Sequence, residues 1–100
     1  MLKKVLAVIF RAKIAELDKE YFSTAEQLRE LALSQYGCRE FCAWTEGDRE
    51  VAISYWDNEE QIRAWKADPL HAAAQGSGKA SWYRSYKVQV VEVLREYDGP

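Results

Sequence analysis

The feature that most constrains the fold is the apolar run near the start of the chain, Val5-Leu-Ala-Val-Ile-Phe10. Side chains of a strand point alternately to its two sides, so Val5, Ala7 and Ile9 would share one side and the even-numbered residues the other. Both sides are apolar. The run therefore predicts a strand, over about Lys3 to Lys13, that is covered on both of its faces.

The remaining patterns predict one α+β domain. Apolar residues from Leu17 to Ala32 recur at spacings of three and four, which predicts a helix over about residues 15–35 that stops at Gly37. Asp57-Asn-Glu-Glu60 is typical of a helix start, with Asp57 as the predicted capping residue. The other predicted elements are strands over residues 38–45, 51–56 and 86–94, a second helix interrupted at Pro69, and a short helical stretch over residues 70–76.

The resulting order, β-α-β-β-α-β, is the ferredoxin-like arrangement, an antiparallel sheet with the helices on one face. Two helices cover only one face of the sheet. The third strand nevertheless has mostly apolar residues on both faces, with Val51, Ile53 and Tyr55 on one and Ala52, Ser54 and Trp56 on the other. An uncovered apolar face of several hundred square ångströms is unusual for a monomer. We therefore expect a homodimer that packs sheet against sheet, with residues 1–96 as the domain and 97–100 as a frayed tail.

Composition excludes several classes of partner. Fourteen basic residues stand against sixteen acidic ones, giving a net charge of -2, whereas a nucleic-acid binder usually has a basic excess or stripe. The run from Val5 to Phe10 is too short to cross a bilayer. We expect a cytoplasmic protein that binds neither nucleic acid nor membrane. Cys38 and Cys42, about 13 Å apart if they share a strand, are beyond disulfide reach and have no nearby partners for a zinc site.

Residues that could carry chemistry are concentrated in the second half of the chain. They are Ile53-Ser-Tyr-Trp-Asp57, Ile62-Arg-Ala-Trp-Lys66, His71-Ala-Ala-Ala-Gln75, Trp82-Tyr83 and Tyr86. This spaced set resembles the antibiotic biosynthesis monooxygenase family from about Val51 to Val93, and the first half agrees in pattern only. The resemblance implies a dimeric α+β barrel with a pocket in each subunit between sheet and helices. It also implies oxidation of a small phenol or quinol by molecular oxygen, with no flavin, haem or metal.

Within this resemblance, His71 is the candidate catalytic base, because it is the one histidine and imidazole titrates near neutral pH. The alternative is a histidine on an exposed helix start that bonds to solvent or to a carboxylate. The candidate substrate-binding residues are aromatic: Trp65, Trp82 and Tyr83 as pocket walls, Tyr55 and Tyr86 as hydroxyl donors, and Trp56, which would face either the helices or the dimer partner. Each tryptophan could instead be core. The acid pairs Asp48-Glu50 and Glu59-Glu60 are interpreted as solvated turn and helix-start charges.

Three other functions remain open. One is a non-catalytic dimer of the same fold that binds a small molecule or acts in stress, since fold does not fix function. Another is an isomerase or lyase of a related dimeric barrel. Haem degradation, known for a second branch of this fold, is disfavoured. That branch uses a histidine ten residues beyond its tryptophan, where this chain has Gln75, and an asparagine that the first strand lacks.

Overall fold

The computed structural model describes residues 4–77 and 81–100, so the predicted strand start at Lys3 lies outside the described residues. The elements are β1 (Leu6–Ile14), α1 (Lys19–Gln35), β2 (Glu40–Glu46), β3 (Arg49–Trp56), α2 (Glu59–Ala67), α3 (Pro69–Ser77) and β4 (Tyr83–Glu92). The predicted order is confirmed, with the second helical segment divided at Pro69 as expected. Within the described ranges, no helix has both the length and the apolar composition needed to cross a membrane.

The four strands form one antiparallel sheet in the order β2-β3-β1-β4, which is the predicted ferredoxin-like topology. Directly paired residues of antiparallel strands point to the same side. Val8 pairs with Ser54, and Ala12 pairs with Glu50. These residues share a side with Trp56, which packs in the core beside residues of α1 and α2. We call this side of the sheet the helix side.

The core lies between the helix side and the helices. Its buried members come from β1, β3, α1, α2 and the segment before β2, and they are Val8, Ala32, Cys38, Trp56, Ile62 and Trp65. Burying an indole stabilises a domain by about 2–3 kcal/mol. Trp56, which is 0% exposed, is therefore a principal anchor of α1 and α2 on the sheet.

Helices α1 and α2 each begin at a side-chain cap. In α1 the carboxylate of Asp18 accepts the N–H of Tyr21 at 2.9 Å, so the helix starts later than residue 15. In α2 the cap is Asn58, whose side chain accepts the N–H of Gln61 at 2.9 Å. The prediction of Asp57 as the cap is wrong, because the Asp57 carboxylate instead pairs with Arg39, 3.5 Å away.

The opposite side of the sheet, which we call the open face, has an apolar area around β3, and Arg11 of β1 and Lys87 of β4 lie on the same side. Ile9, Val51 and Ile53 lie on it half-buried, because they alternate with the helix-side residues of their strands. Trp44 of β2 is also on this side, and 58% of its surface is exposed. A face of this composition fits the predicted sheet-to-sheet contact, and the dimer remains a prediction.

Candidate functional site

The imidazole of His71 lies against the indole of Trp65, with ring centroids 4.3 Å apart. His71 Nδ1 is 3.3 Å from the backbone carbonyl oxygen of Trp65. Because a carbonyl oxygen only accepts hydrogen bonds, this contact places the proton on Nδ1 and leaves Nε2 with a free lone pair. Burial lowers the pKa of His71 below its ordinary value of 6.5, although the bond to Trp65 opposes that shift. The ring is therefore neutral at neutral pH, and Nε2 is able to accept a proton.

Asp68 fixes the start of α3 and therefore the position of His71. Its carboxylate accepts the backbone N–H of Leu70 at 2.9 Å and the phenol of Tyr36 at 2.6 Å. Both hydrogen bonds favour the ionised carboxyl and lower the pKa of Asp68. The end of α1 is thus joined to the turn between α2 and α3, one residue before the proline that separates them.

Trp65 connects His71 to the core. Its indole N–H donates to the backbone carbonyl of Leu28 in α1 at 3.1 Å, and its rings contact those of Trp56 and Phe41 at centroid distances of 5.2 and 6.0 Å. Trp56 therefore faces the helices and not the open face of the sheet, which were the two orientations that the sequence allowed. We call His71, Trp65, Trp56 and Phe41 the histidine cluster.

The other predicted aromatics form a second group at the far end of the sheet. The phenol of Tyr83 donates to Glu50 Oε2 at 3.0 Å, and the phenol of Tyr21 donates to Glu50 Oε1. The ring of Trp82 contacts that of Tyr21 edge-on, with centroids 5.2 Å apart. The ring of Phe10 lies 5.3 Å from that of Tyr83. We call these five residues, together with Tyr86, the glutamate cluster.

Glu50 is 8% exposed, so its interpretation as a solvated turn charge is wrong. Burial raises the pKa of this carboxyl, and the hydrogen bond from Tyr83 partly offsets the rise. The pKa of Tyr83 is also raised, by burial and then by the neighbouring Glu50, so its phenol keeps its proton. A buried acid with a perturbed pKa is a candidate functional group. The sequence did contain a signal for this burial. Glu50 lies six positions before Trp56, so the alternation of side chains along β3 puts both residues on the same side of the strand.

The two clusters are separate. Trp56 and Glu50 stand six positions apart on β3, which corresponds to about 20 Å of extended strand. Trp65 and His71 lie with Trp56, whereas Trp82, Tyr83 and Tyr86 lie with Glu50. Tyr55 pairs with Ala7 on the open face and belongs to neither group. The residues predicted to surround one pocket therefore divide among three places in the fold.

Two surface depressions on the described part of the chain include no predicted site residue. One runs along the outer side of α1, from Ser23 to Ser34. The other, of about 360 Å³, lies where β1 starts and β4 ends, next to Asn58. Among residues 4–77 and 81–100, no three His, Cys, Asp or Glu side chains are grouped so that they could hold a metal ion.

Comparison with known proteins gives the chain a family. It is 38% identical over 91 residues to the uncharacterized protein YqjZ of Bacillus subtilis, and the match covers 90% of this chain and 80% of YqjZ. The chain belongs to the YqjZ family. No protein-family model matches the sequence. Because YqjZ is itself uncharacterized, membership in its family supplies no activity.

Solved structures similar to this YqjZ-family chain share its fold. A point mutant of SnoaB, a cofactor-independent oxygenase from Streptomyces nogalater, superposes with a TM-score of 0.76 at 15% identity, over 92% of this chain and 95% of that one. Rv0793 from Mycobacterium tuberculosis superposes with a TM-score of 0.80 at 15% identity, and the match covers 94% of this chain and 99% of Rv0793. A putative antibiotic biosynthesis monooxygenase from Nitrosomonas europaea superposes with a TM-score of 0.76 at 13% identity, and the match covers 94% of each chain. The resemblance to the monooxygenases is thereby confirmed at the level of the fold.

Proposed function

We propose that this chain is a cofactor-independent monooxygenase that oxidises a small aromatic or quinol-type molecule with molecular oxygen. The single observation that carries the proposal is the contact between His71 and Trp65. It combines a neutral imidazole, whose Nε2 can take a proton, with a buried indole that holds this imidazole in position. The fold shared with SnoaB, which is named a cofactor-independent oxygenase, supports it.

The proposed reaction needs one group from the protein at the reacting atom. Nε2 of His71 removes the phenolic proton, and the electron-rich anion then reacts with oxygen. The substrate loses two hydrogens, one from its hydroxyl and one from the carbon that is oxidised, and that carbon gains one oxygen atom while the second oxygen atom leaves as water. The substrate supplies the electrons itself. The low local polarity around the Trp65 ring would limit the access of water to the reactive intermediate.

Oxygen uptake tests the proposal. The purified chain is incubated with a panel of hydroxylated naphthalenes and anthrones under air and under nitrogen, and both oxygen and substrate are followed. We expect oxygen-dependent conversion by the wild type. His71→Gln should abolish it, because glutamine can still donate to the Trp65 carbonyl but cannot accept the proton. Ala73→Ser, at an exposed position of α3, is the control and should leave turnover unchanged.

Each contrary result points to another function. Equal conversion under nitrogen would indicate an isomerase or lyase. Unchanged turnover in His71→Gln would remove the imidazole from the mechanism.

A second candidate is a dimer of this fold that binds a small molecule without converting it. It is supported by a depression of about 360 Å³ on the described chain, beside Leu6, Asn58 and Val90, which could hold a ligand away from His71. Binding of a panel compound with no consumption of oxygen or substrate would support this candidate over the monooxygenase.

We also propose that the functional unit is a homodimer joined through the open face. Trp44 and Val91 are 58% and 37% exposed there in the single copy. A second copy would remove both side chains from water, and large uncovered apolar patches commonly mark such contacts.

A further inference from the structure

The glutamate cluster borders an exposed apolar strip on the helix side of β1 and β4. Register places Phe10 beside Val88 and Ala12 beside Tyr86 on the same side of the sheet. The rings of Phe10 and Tyr86 are stacked, with centroids 5.8 Å apart and planes inclined by 27°. Tyr86 is 39% exposed and Val88 is 37% exposed. The strip is therefore flat, partly aromatic and open to solvent.

Tyr83 stands between this strip and Glu50. Its ring contacts both Phe10 and Tyr86, at centroid distances of 5.3 and 6.3 Å. Its single O–H proton is donated to Glu50 Oε2, which accepts it because an ionised carboxylate has no proton of its own. In that state the phenol has no proton left for a ligand.

Protonation of Glu50 on Oε2 allows this bond to reverse its direction. A protonated carboxyl carries an O–H that can donate to the oxygen of Tyr83, and the Tyr83 proton is then free to turn toward the strip. A carboxylic acid kept neutral within a network of this kind is a known way to supply a hydrogen bond to a ligand oxygen. Burial raises the pKa of Glu50 above its ordinary 4.5, which favours the protonated form of the carboxyl.

Few other groups face this carboxyl. Tyr21 donates to it from α1. The paired position on β1 is Ala12 and that on β2 is Thr45, and neither residue titrates. Tyr83 approaches from β4. The two phenols and Glu50 are therefore the titratable groups that meet here among the described residues, and the carboxyl is the one that changes its charge below neutral pH.

We propose that the Tyr83 hydroxyl and the stacked Phe10–Tyr86 pair form a second ligand site, specific for planar aromatic ketones, which is available when Glu50 is protonated. The rings of Phe10 and Tyr86 hold the flat ligand, and the Tyr83 hydroxyl donates to its carbonyl oxygen. The site lies about 20 Å from the histidine cluster along β3. It is independent of the proposed oxygenase chemistry.

Equilibrium dialysis with β-acetonaphthone tests the site in the full-length chain. We expect the affinity to fall as the pH is raised from about 5 to about 8, because binding requires a proton on Glu50, whose pKa is raised by burial. The control ligand is β-ethylnaphthalene, which has the same rings but a methylene in place of the carbonyl. Its affinity should be weaker at the lower pH and should not depend on pH.

Three variants separate the parts of the site. Glu50→Gln presents a permanent amide donor to the Tyr83 oxygen, so its affinity for the ketone should be independent of pH and match that of the wild type at the lower pH. Tyr83→Phe keeps the ring and loses the donor, and it should bind the ketone about tenfold more weakly at that pH. His71→Gln should bind like the wild type. Circular dichroism confirms that each variant is folded.

The proposal is overturned if β-acetonaphthone does not bind, if it binds equally at both pH values, or if β-ethylnaphthalene binds as tightly. Loss of binding in His71→Gln would place the ketone in the histidine cluster and would also overturn it. None of these results decides whether the chain consumes oxygen, so the two proposals fail separately.

Discussion

The phenol of Tyr21, near the start of α1, donates a hydrogen bond to the buried carboxyl of Glu50 near the start of β3. The two residues are 6% and 8% exposed. A buried acceptor that loses its partner retains the cost of its desolvation. The bond therefore joins the first helix to the sheet at the end opposite the histidine cluster.

Replacing Tyr21 by phenylalanine should lower the free energy of unfolding by about 1–3 kcal/mol, because it leaves one oxygen of Glu50 without a donor. Urea denaturation followed by circular dichroism measures the change. Tyr97→Phe is the control, since Tyr97 is 85% exposed and its substitution should change stability by less than about 0.5 kcal/mol. Equal effects of the two substitutions would contradict the buried bond.

His71 should titrate with a pKa below 6.5, because the buried ring resists charging. As it is the one histidine, proton NMR of its ring signals gives the value without assignment. A depressed folded-state pKa means that the unfolded chain binds the proton more tightly, so this residue destabilises the fold as pH falls through 6.5 and below. Under the same acidification, oxygenase turnover should also decline. A pKa above 6.5 would contradict both expectations.

Charge on the open face should dissociate the proposed dimer. Ile53→Asp places a carboxylate between apolar neighbours of β1 and β2, and its desolvation in a sheet-to-sheet contact would cost several kcal/mol. We expect sedimentation velocity to show a dimer for the wild type and a single copy for the variant. Gln27→Asp, at an exposed position of α1, should remain dimeric. A wild type that sediments as one copy would refute the dimer.

Two glycines with positive φ should differ in their tolerance of alanine. Gly47 has φ of 60° and open space around its Cα, so Gly47→Ala should cost only the conformational strain, about 1 kcal/mol. Gly37 has φ of 80°, and a Cβ there would lie 2.5 Å from Nε2 of Gln61. Gly37→Ala should therefore cost more, because it also displaces the Gln61 side chain, which accepts the N–H of Asp57. Thermal unfolding of the pair measures the difference, and equal losses would exclude the contact.

Local patterns were sufficient to predict the fold. The alternating apolar strands and the spacing of α1 predicted the element order, and Pro69 and Gly37 marked the helix ends correctly. The error at Asp57 has a long-range cause, since Arg39 is distant in sequence and competes for that carboxylate. Adjacent polar residues at a helix start cannot be ranked as caps until such partners are known.

The candidate site was predicted less well, because its arrangement depends on register. The aromatic residues of the second half were identified, yet their division between two ends of the sheet follows from which residues of β1, β3 and β4 pair. Glu50 was missed because it stands beside a polar turn, and its burial depends on Tyr21, twenty-nine positions earlier. The sequence pattern placed Tyr55 and Trp56 on opposite sides without showing which side meets the helices.

The placement of both clusters on β3 has a consequence for insertions and deletions. Trp56 and Glu50 point to the same side of β3. A shift of one residue in the pairing of β3 with its neighbours would therefore turn both side chains to the open face and bring Tyr55 and Val51 to the helix side. The histidine and glutamate clusters would be lost together, although they share no contact. An inserted or deleted residue within β3 that shifts its pairing with β1 should thus disturb both clusters at once.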